Sequence, residues 1–126
     1  MPLTREELEK EKEELIKKLL KFDDYLHTRM ESGKFYTEGE FSSFVRDYAI
    51  QEYGTDKRYG LDKKGFMDGL TPEGMKIYQR LGEFIARLQF IGSIGKRTTS
   101  EGDVYFRQNP PLERVSFALK FIRTRL

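Results

Sequence analysis

The stretch "RLQFIGSIGKRTTSEGDVYFRQ", residues 87–108, decides how this chain is read. It opens as the end of a helix. Gly92 interrupts the helical spacing between Ile91 and Ile94, and Val104 and Phe106 then alternate with Tyr105 and Arg107. Two short alternating runs separated by Ser, Glu and Gly predict a β-hairpin. Lys96 and Arg97 fall at or beside its exposed tip. A basic hairpin placed directly after a helix raises the question of what the hairpin touches.

Upstream, "LTPEG" at 70–74 is a strong helix start, with Thr71 as N-cap, Pro72 at the first helical position and Glu73 in the first turn. The helix runs to about residue 89. Its expected buried face is Met75, Tyr78, Leu81, Ile85 and Leu88, with Phe84 beside it. Residues 54–70, "GTDKRYGLDKKGFMDGL", read as loop from their Gly, Asp and Lys content. Within them Leu61, Phe66 and Met67 fit one short helical segment, about 61–67. Further back, "TEGE" at 37–40 is a capping box that opens a helix over 38–53, with Phe41, Phe44, Val45, Tyr48 and Ala49 on one face. Downstream, "NPP" at 109–111 stops the hairpin and opens a last helix over 111–126. Leu112, Val115, Ala118, Phe121 and Ile122 line one side of it, and Arg114, Lys120 and Arg123 the other.

The chain begins with a long helix, residues 4–33, capped by Thr4 and Glu7 and ended by Gly33. Leu8, Leu15, Leu19, Phe22 and Leu26 recur close to a heptad seam. Ile16, Leu20 and Tyr25 broaden that face beyond what one small core needs. The seam therefore predicts a homodimer interface, with the last helix as a second contributor.

At 126 residues the expectation is a single domain spanning 1–126, mainly α with one β-hairpin. There is no Cys and one His, His27, so disulfides, thiolate chemistry and a His-based metal cluster are excluded, and neither a cofactor nor a metal is expected. Asp23 and Asp24 are adjacent and point apart on a helix, so they do not form an acid–base pair. "GSIGKRT" at 92–98 lacks the Gly spacing of a phosphate-binding loop. No catalytic residue stands out, and the chain is not expected to be an enzyme. No stretch is long and apolar enough to span a bilayer, and the N-terminal stretch lacks a signal-peptide core. A cytoplasmic protein is expected. Abundant charge with one Asn, four Gln and no Cys is thermophile-like.

The charge is uneven. Residues 1–53 carry nine basic and thirteen acidic side chains, a net −4. Residues 54–126 carry fourteen and eight, a net +6. A basic second half suits an acidic partner, of which nucleic acid is the commonest.

The run "MKIYQRLGEFIARLQFIGSIGKRTTSEGDVYFRQ" resembles the recognition helix and wing of winged helix-turn-helix regulators of the MarR, PadR and ArsR type. Arg87, Leu88, Gly92, Ile94, Lys96, Arg97 and Tyr105 carry the likeness, which covers about residues 61–108. The resemblance implies a winged-helix core over 38–108, flanked by the long first helix (1–33) and the last helix (111–126). It also implies a dimeric transcriptional regulator that reads double-stranded DNA with helix 72–89 and hairpin 90–108. Lys76, Gln79 and Arg80 would then reach base edges. Arg87 would contact phosphate or pair with Glu83. Lys96, Arg97 and Thr98 would contact backbone or minor groove, and Thr71 would bind phosphate at the helix start. Two features depart from the pattern: residues 54–70 exceed the usual short turn, and the net charge is modest. The competing expectation is a protein–protein adaptor, or a small helical subunit of a multi-protein or ribonucleoprotein assembly. Phe35, Tyr36, Tyr53 and Tyr59 would then supply its surface.

Overall fold

The computed structural model describes residues 4–54, 58–61 and 70–125. Among them the chain forms four helices and a small antiparallel sheet, in the order α1 (Arg5–Arg29), β1 (Phe35–Thr37), α2 (Glu38–Tyr53), α3 (Pro72–Ile91), β2 (Ile94–Thr99), β3 (Gly102–Arg107) and α4 (Leu112–Arg125). The short helix expected near 61–67 falls largely outside the described residues. Leu61 lies in a turn and is buried.

Side-chain caps fix most helix starts. Thr4 accepts from the Glu7 amide and Thr71 from that of Gly74. At α2 the box is reciprocal: Thr37 Oγ1 accepts from Glu40 N and Glu40 Oε1 from Thr37 N, both at 3.1 Å. The donation from the Thr37 backbone amide, followed by its hydroxyl, holds the Glu40 carboxyl below its ordinary pKa.

Helix α1 stops four residues before Gly33, which corrects the expected end. Its terminal carbonyls need no glycine turn, because Arg107 reaches them from β3. The guanidinium donates to His27 O at 3.1 Å and Met30 O at 3.5 Å. Tyr36 Oη takes the Glu31 amide at 2.8 Å and turns the chain into β1. Helix α3 runs two residues past the expected 89, to Ile91, and Gly92 caps it in the left-handed region at φ 89°. Arg114, placed by periodicity on the outer side of the last helix, donates instead to Ile91 O at 3.0 Å and Phe90 O at 3.3 Å.

Strand β1 extends the expected hairpin to three strands. The order is β1-β3-β2, with β3 central and both pairings antiparallel. One sheet face turns inward onto α2, where Tyr105 stacks on Phe41 at 4.2 Å and Tyr36 meets Phe44 edge-on at 5.4 Å. Tyr36 is thus buried, contrary to its expected place on the surface.

The core lies where α1, α2 and α3 meet. Phe22 is fully buried, with Tyr48 at 4.9 Å and Phe84 at 6.3 Å. Leu19, Phe22 and Leu26, expected at a dimer interface, are core residues of this chain. Of that seam, Leu15 is half-buried and Leu8 remains 45% exposed. The buried face of α3 is turned from the expected one towards Ile77, Leu81, Phe84, Leu88 and Ile91, leaving Met75, Tyr78 and Ile85 half-buried.

Candidate nucleic-acid interface

Rotation of the α3 core face sets what the helix shows to solvent. Lys76, Gln79 and Arg80 are exposed and make no hydrogen bond or ion pair among the described residues. Their side chains are long, mobile donors on one side of a helix. Arg80 borders an open groove of about 640 Å³ whose other wall is α1, through Glu7, Leu8, Glu11, Glu14 and Leu15 among others. Lys10, Lys12 and Lys18 line the same wall, so the α1 side of the groove carries no net charge and leaves the positive charge of Arg80 in place. Lys76 and Gln79 are absent from the groove lining.

Two of the expected contacts are occupied within the chain. The Thr71 hydroxyl accepts from Gly74 N at 3.1 Å and donates to Arg58 O. The turn that carries Arg58 also closes over the first turn of α3. A Cβ on Gly74 would sit 2.1 Å from Tyr59 O, so only glycine admits that approach. Thr71 therefore caps the helix and anchors the preceding turn, and it does not present its hydroxyl donor to a phosphate. Arg87 is half-buried and pairs with Glu83 at 3.9 Å, the local partner named for it from spacing.

The hairpin separates the basic residues that the sequence places side by side. Alternation sends Lys96 and Thr98 to one sheet face and Arg97 to the other. On the inner side Asp103 collects both neighbours: Lys96 Nζ lies 3.4 Å away and Thr98 Oγ1 donates at 2.9 Å. On the outer side the Arg97 guanidinium lies over the Phe35 ring, 5.8 Å from its centroid. Phe35, supplied by the unexpected β1, meets Phe106 edge-on at 5.2 Å.

A second polar group was not legible from spacing alone. Asp23 and His27 sit one turn apart on α1 and converge on Ser93, the first residue after the α3 cap. Ser93 Oγ donates to Asp23, and His27 Nε2 lies 2.7 Å from Ser93 Oγ and 3.0 Å from Ser93 O. A carbonyl only accepts, so Nε2 carries a proton and cannot take one from the serine. The carboxylate approaches that same nitrogen, at 3.4 Å, rather than Nδ1. Ser93 is 3% exposed. These three residues tie α1 to the root of the hairpin and do not form a nucleophile relay. Burial raises the Asp23 pKa, against the opposing pull of the Ser93 hydrogen bond and His27.

The third group is apolar. Phe90 at the end of α3 packs against Phe121 of α4 at 5.2 Å, and Phe117 lies one turn away on α4. Phe90 is 44% exposed, Phe117 70% and Leu112 81%. Arg125 lies over Phe121 at 4.7 Å. Among the described residues, no helix is long and apolar enough to cross a membrane, and no group of three or more His, Cys, Asp or Glu gathers to hold a metal ion.

Comparison with known protein families, curated proteins and solved structures finds no match to this chain.

Proposed function

We propose that this chain is a winged-helix protein that binds double-stranded DNA, inserting α3 into the major groove and laying the β2–β3 hairpin alongside. The observation that carries this reading is topological. A helix with an exposed polar stripe runs directly into a hairpin, and the later strand of that hairpin is central in a sheet closed by a short strand between the first two helices. Lys76 and Gln79 suit base edges, and Arg80 suits a phosphate or a base. The +6 charge of residues 54–126 favours a polyanion. Such a protein would act as a transcriptional regulator in the cytoplasm, without catalysis of its own.

A regulator of this kind gains affinity by binding as a homodimer, because two chains double the number of phosphate contacts. With most of the α1 seam internal, the surface best suited to a second copy is the aromatic face of α4 and the end of α3. The same face favours a second reading, a protein–protein adaptor that uses Phe90, Phe117 and Phe121 to hold a different chain.

The test is duplex binding followed by fluorescence anisotropy at two salt concentrations. Affinity should fall steeply as salt rises, and the combined change of Lys76, Gln79 and Arg80 to Ala should remove most of it. If the triple variant binds as the unaltered chain does, with the same salt dependence, α3 does not read DNA. Absence of duplex binding at low salt would favour the adaptor.

A further inference from the structure

We infer that Phe35 is a positioning residue for the duplex contact: it holds the Arg97 guanidinium on the outer sheet face, so the hairpin meets the phosphodiester backbone through Arg97 and not through Lys96. This rests on the DNA-binding reading above and assigns the work within the hairpin.

Lys96 and Arg97 are neighbours in sequence with opposite surroundings. Lys96 faces Asp103, which also holds Thr98, so its charge is largely compensated before any ligand arrives. Arg97 has no carboxylate within ion-pair distance among the described residues. Among the described residues, its guanidinium instead lies over the ring of Phe35. A guanidinium over an aromatic face keeps its in-plane N–H donors pointing outwards, which leaves them available for phosphate oxygens.

The ring is itself held in place. Phe35 is 52% exposed, yet Phe106 braces it edge-on at 5.2 Å and 69°. Phe106 in turn lies across Gly95, where a Cβ would come within 2.3 Å of two ring carbons. The register sets Phe35 beside Phe106 and Phe106 beside Gly95, across all three strands. Gly95, Phe106 and Phe35 therefore form one row on the outer face, and Arg97, in the next row opposite Val104, reaches diagonally across to the Phe35 ring. The edge-on contact with Phe106 limits where the Phe35 ring, and the cation over it, can sit.

The experiment measures duplex affinity across a salt series for single and double variants, each first checked for a native thermal unfolding transition. Arg97→Ala should weaken binding about tenfold, as expected for loss of a charged hydrogen bond. It should also lower the salt slope by about one ion. Lys96→Ala combined with Asp103→Asn should leave affinity within about twofold, since the pair it removes carries no net charge. Phe35→Leu, which keeps apolar bulk without a π face, should weaken binding and leave the salt slope unchanged. Phe35→Trp should restore it. In the double variant, Phe35→Leu should add nothing once Arg97 is Ala. Equal losses for the Lys96–Asp103 double change and Arg97→Ala, or additive losses for Phe35 and Arg97, would overturn the inference. Should the α3 triple variant lose binding while all hairpin variants bind normally, the inference fails and the DNA-binding reading stands. Should the unaltered chain fail to bind duplex at low salt, both fail.

Discussion

Helix α1 buries Ile16, Leu19, Phe22 and Leu26 inside its own chain, whereas α4 buries Ala118 and Ile122 and leaves Leu112, Phe117 and Phe121 in solvent. Both helices carry an apolar side at helical spacing. The difference comes from what surrounds them. Helices α2 and α3 both pack against α1, its last carbonyls are taken by Arg107, and its last two turns are tied to Ser93. Helix α4 joins the body last, along α3 and one stretch of α1, where Arg123 meets Glu13 at 2.7 Å. Periodicity therefore says which side of a helix is apolar, and the neighbours decide whether that side becomes core or contact surface.

Five substitutions would break or sharpen this contrast. The largest effect is expected from Phe22→Ala, which empties the meeting point of three helices and should cost about 3–5 kcal/mol in chemical denaturation. A loss under about 1 kcal/mol would mean that α1 is not held as described. Next, Arg107→Ala removes two charge-assisted bonds to the end of α1 and should cost about 1.5–3 kcal/mol. Arg114→Ala, which frees the end of α3 from α4, should cost less, because Gly92 already caps that end through its own amide. Equal losses at the two arginines would erase the distinction between the helices.

Asp23→Asn tests the tie between α1 and Ser93. Burial raises the native pKa of Asp23 above its ordinary 3.8, so the native state holds that proton more tightly than the unfolded chain. Its contribution is full below the unfolded value and is lost as pH rises through the native one. Asn keeps an acceptor for Ser93 and has no proton to lose. The melting temperature of the variant should therefore lack the decline with rising pH that Asp23 imposes, and a parallel pair of pH profiles would rule this out. The smallest effect on stability belongs to Phe117→Ser, within about 0.5 kcal/mol because the ring is already exposed. In sedimentation velocity the same change should abolish the homodimer proposed through this face. A native-mass dimer in this variant would place the second copy elsewhere.

Much of this architecture was legible where residues act locally. Thr37 with Glu40, Thr71 with Pro72, and Gly92 mark helix ends through bonds made within a few residues. The hairpin was legible because Val104 and Phe106 alternate around Tyr105. Strand β1 was not, since Phe35–Thr37 is too short to show alternation and becomes a strand only by pairing with β3. Its absence hid the support beneath Arg97. The compensation of Lys96 was hidden as well, because it depends on a register that a two-residue turn sets. The α3 face was misjudged because Met75 and Tyr78 are apolar enough to suggest burial, while Gly74, which lets the Tyr59 carbonyl close in, carries no apolar signal at all.

The central place of β3 in the sheet also orders events in time. It is the last strand to leave the ribosome, and both other strands must wait for it. Until Arg107 has been synthesised, β1 has no hydrogen-bonding neighbour, Tyr36 and Phe41 lack their cover, and the end of α1 keeps its carbonyls in water. The three helices can gather earlier through Phe22, Tyr48 and Phe84, but the sheet closes in one late step over a long loop. A nascent chain halted before residue 102 would thus hold a helical core and a frayed first strand, and the slow phase in refolding of the full chain should track the hairpin and not the helices.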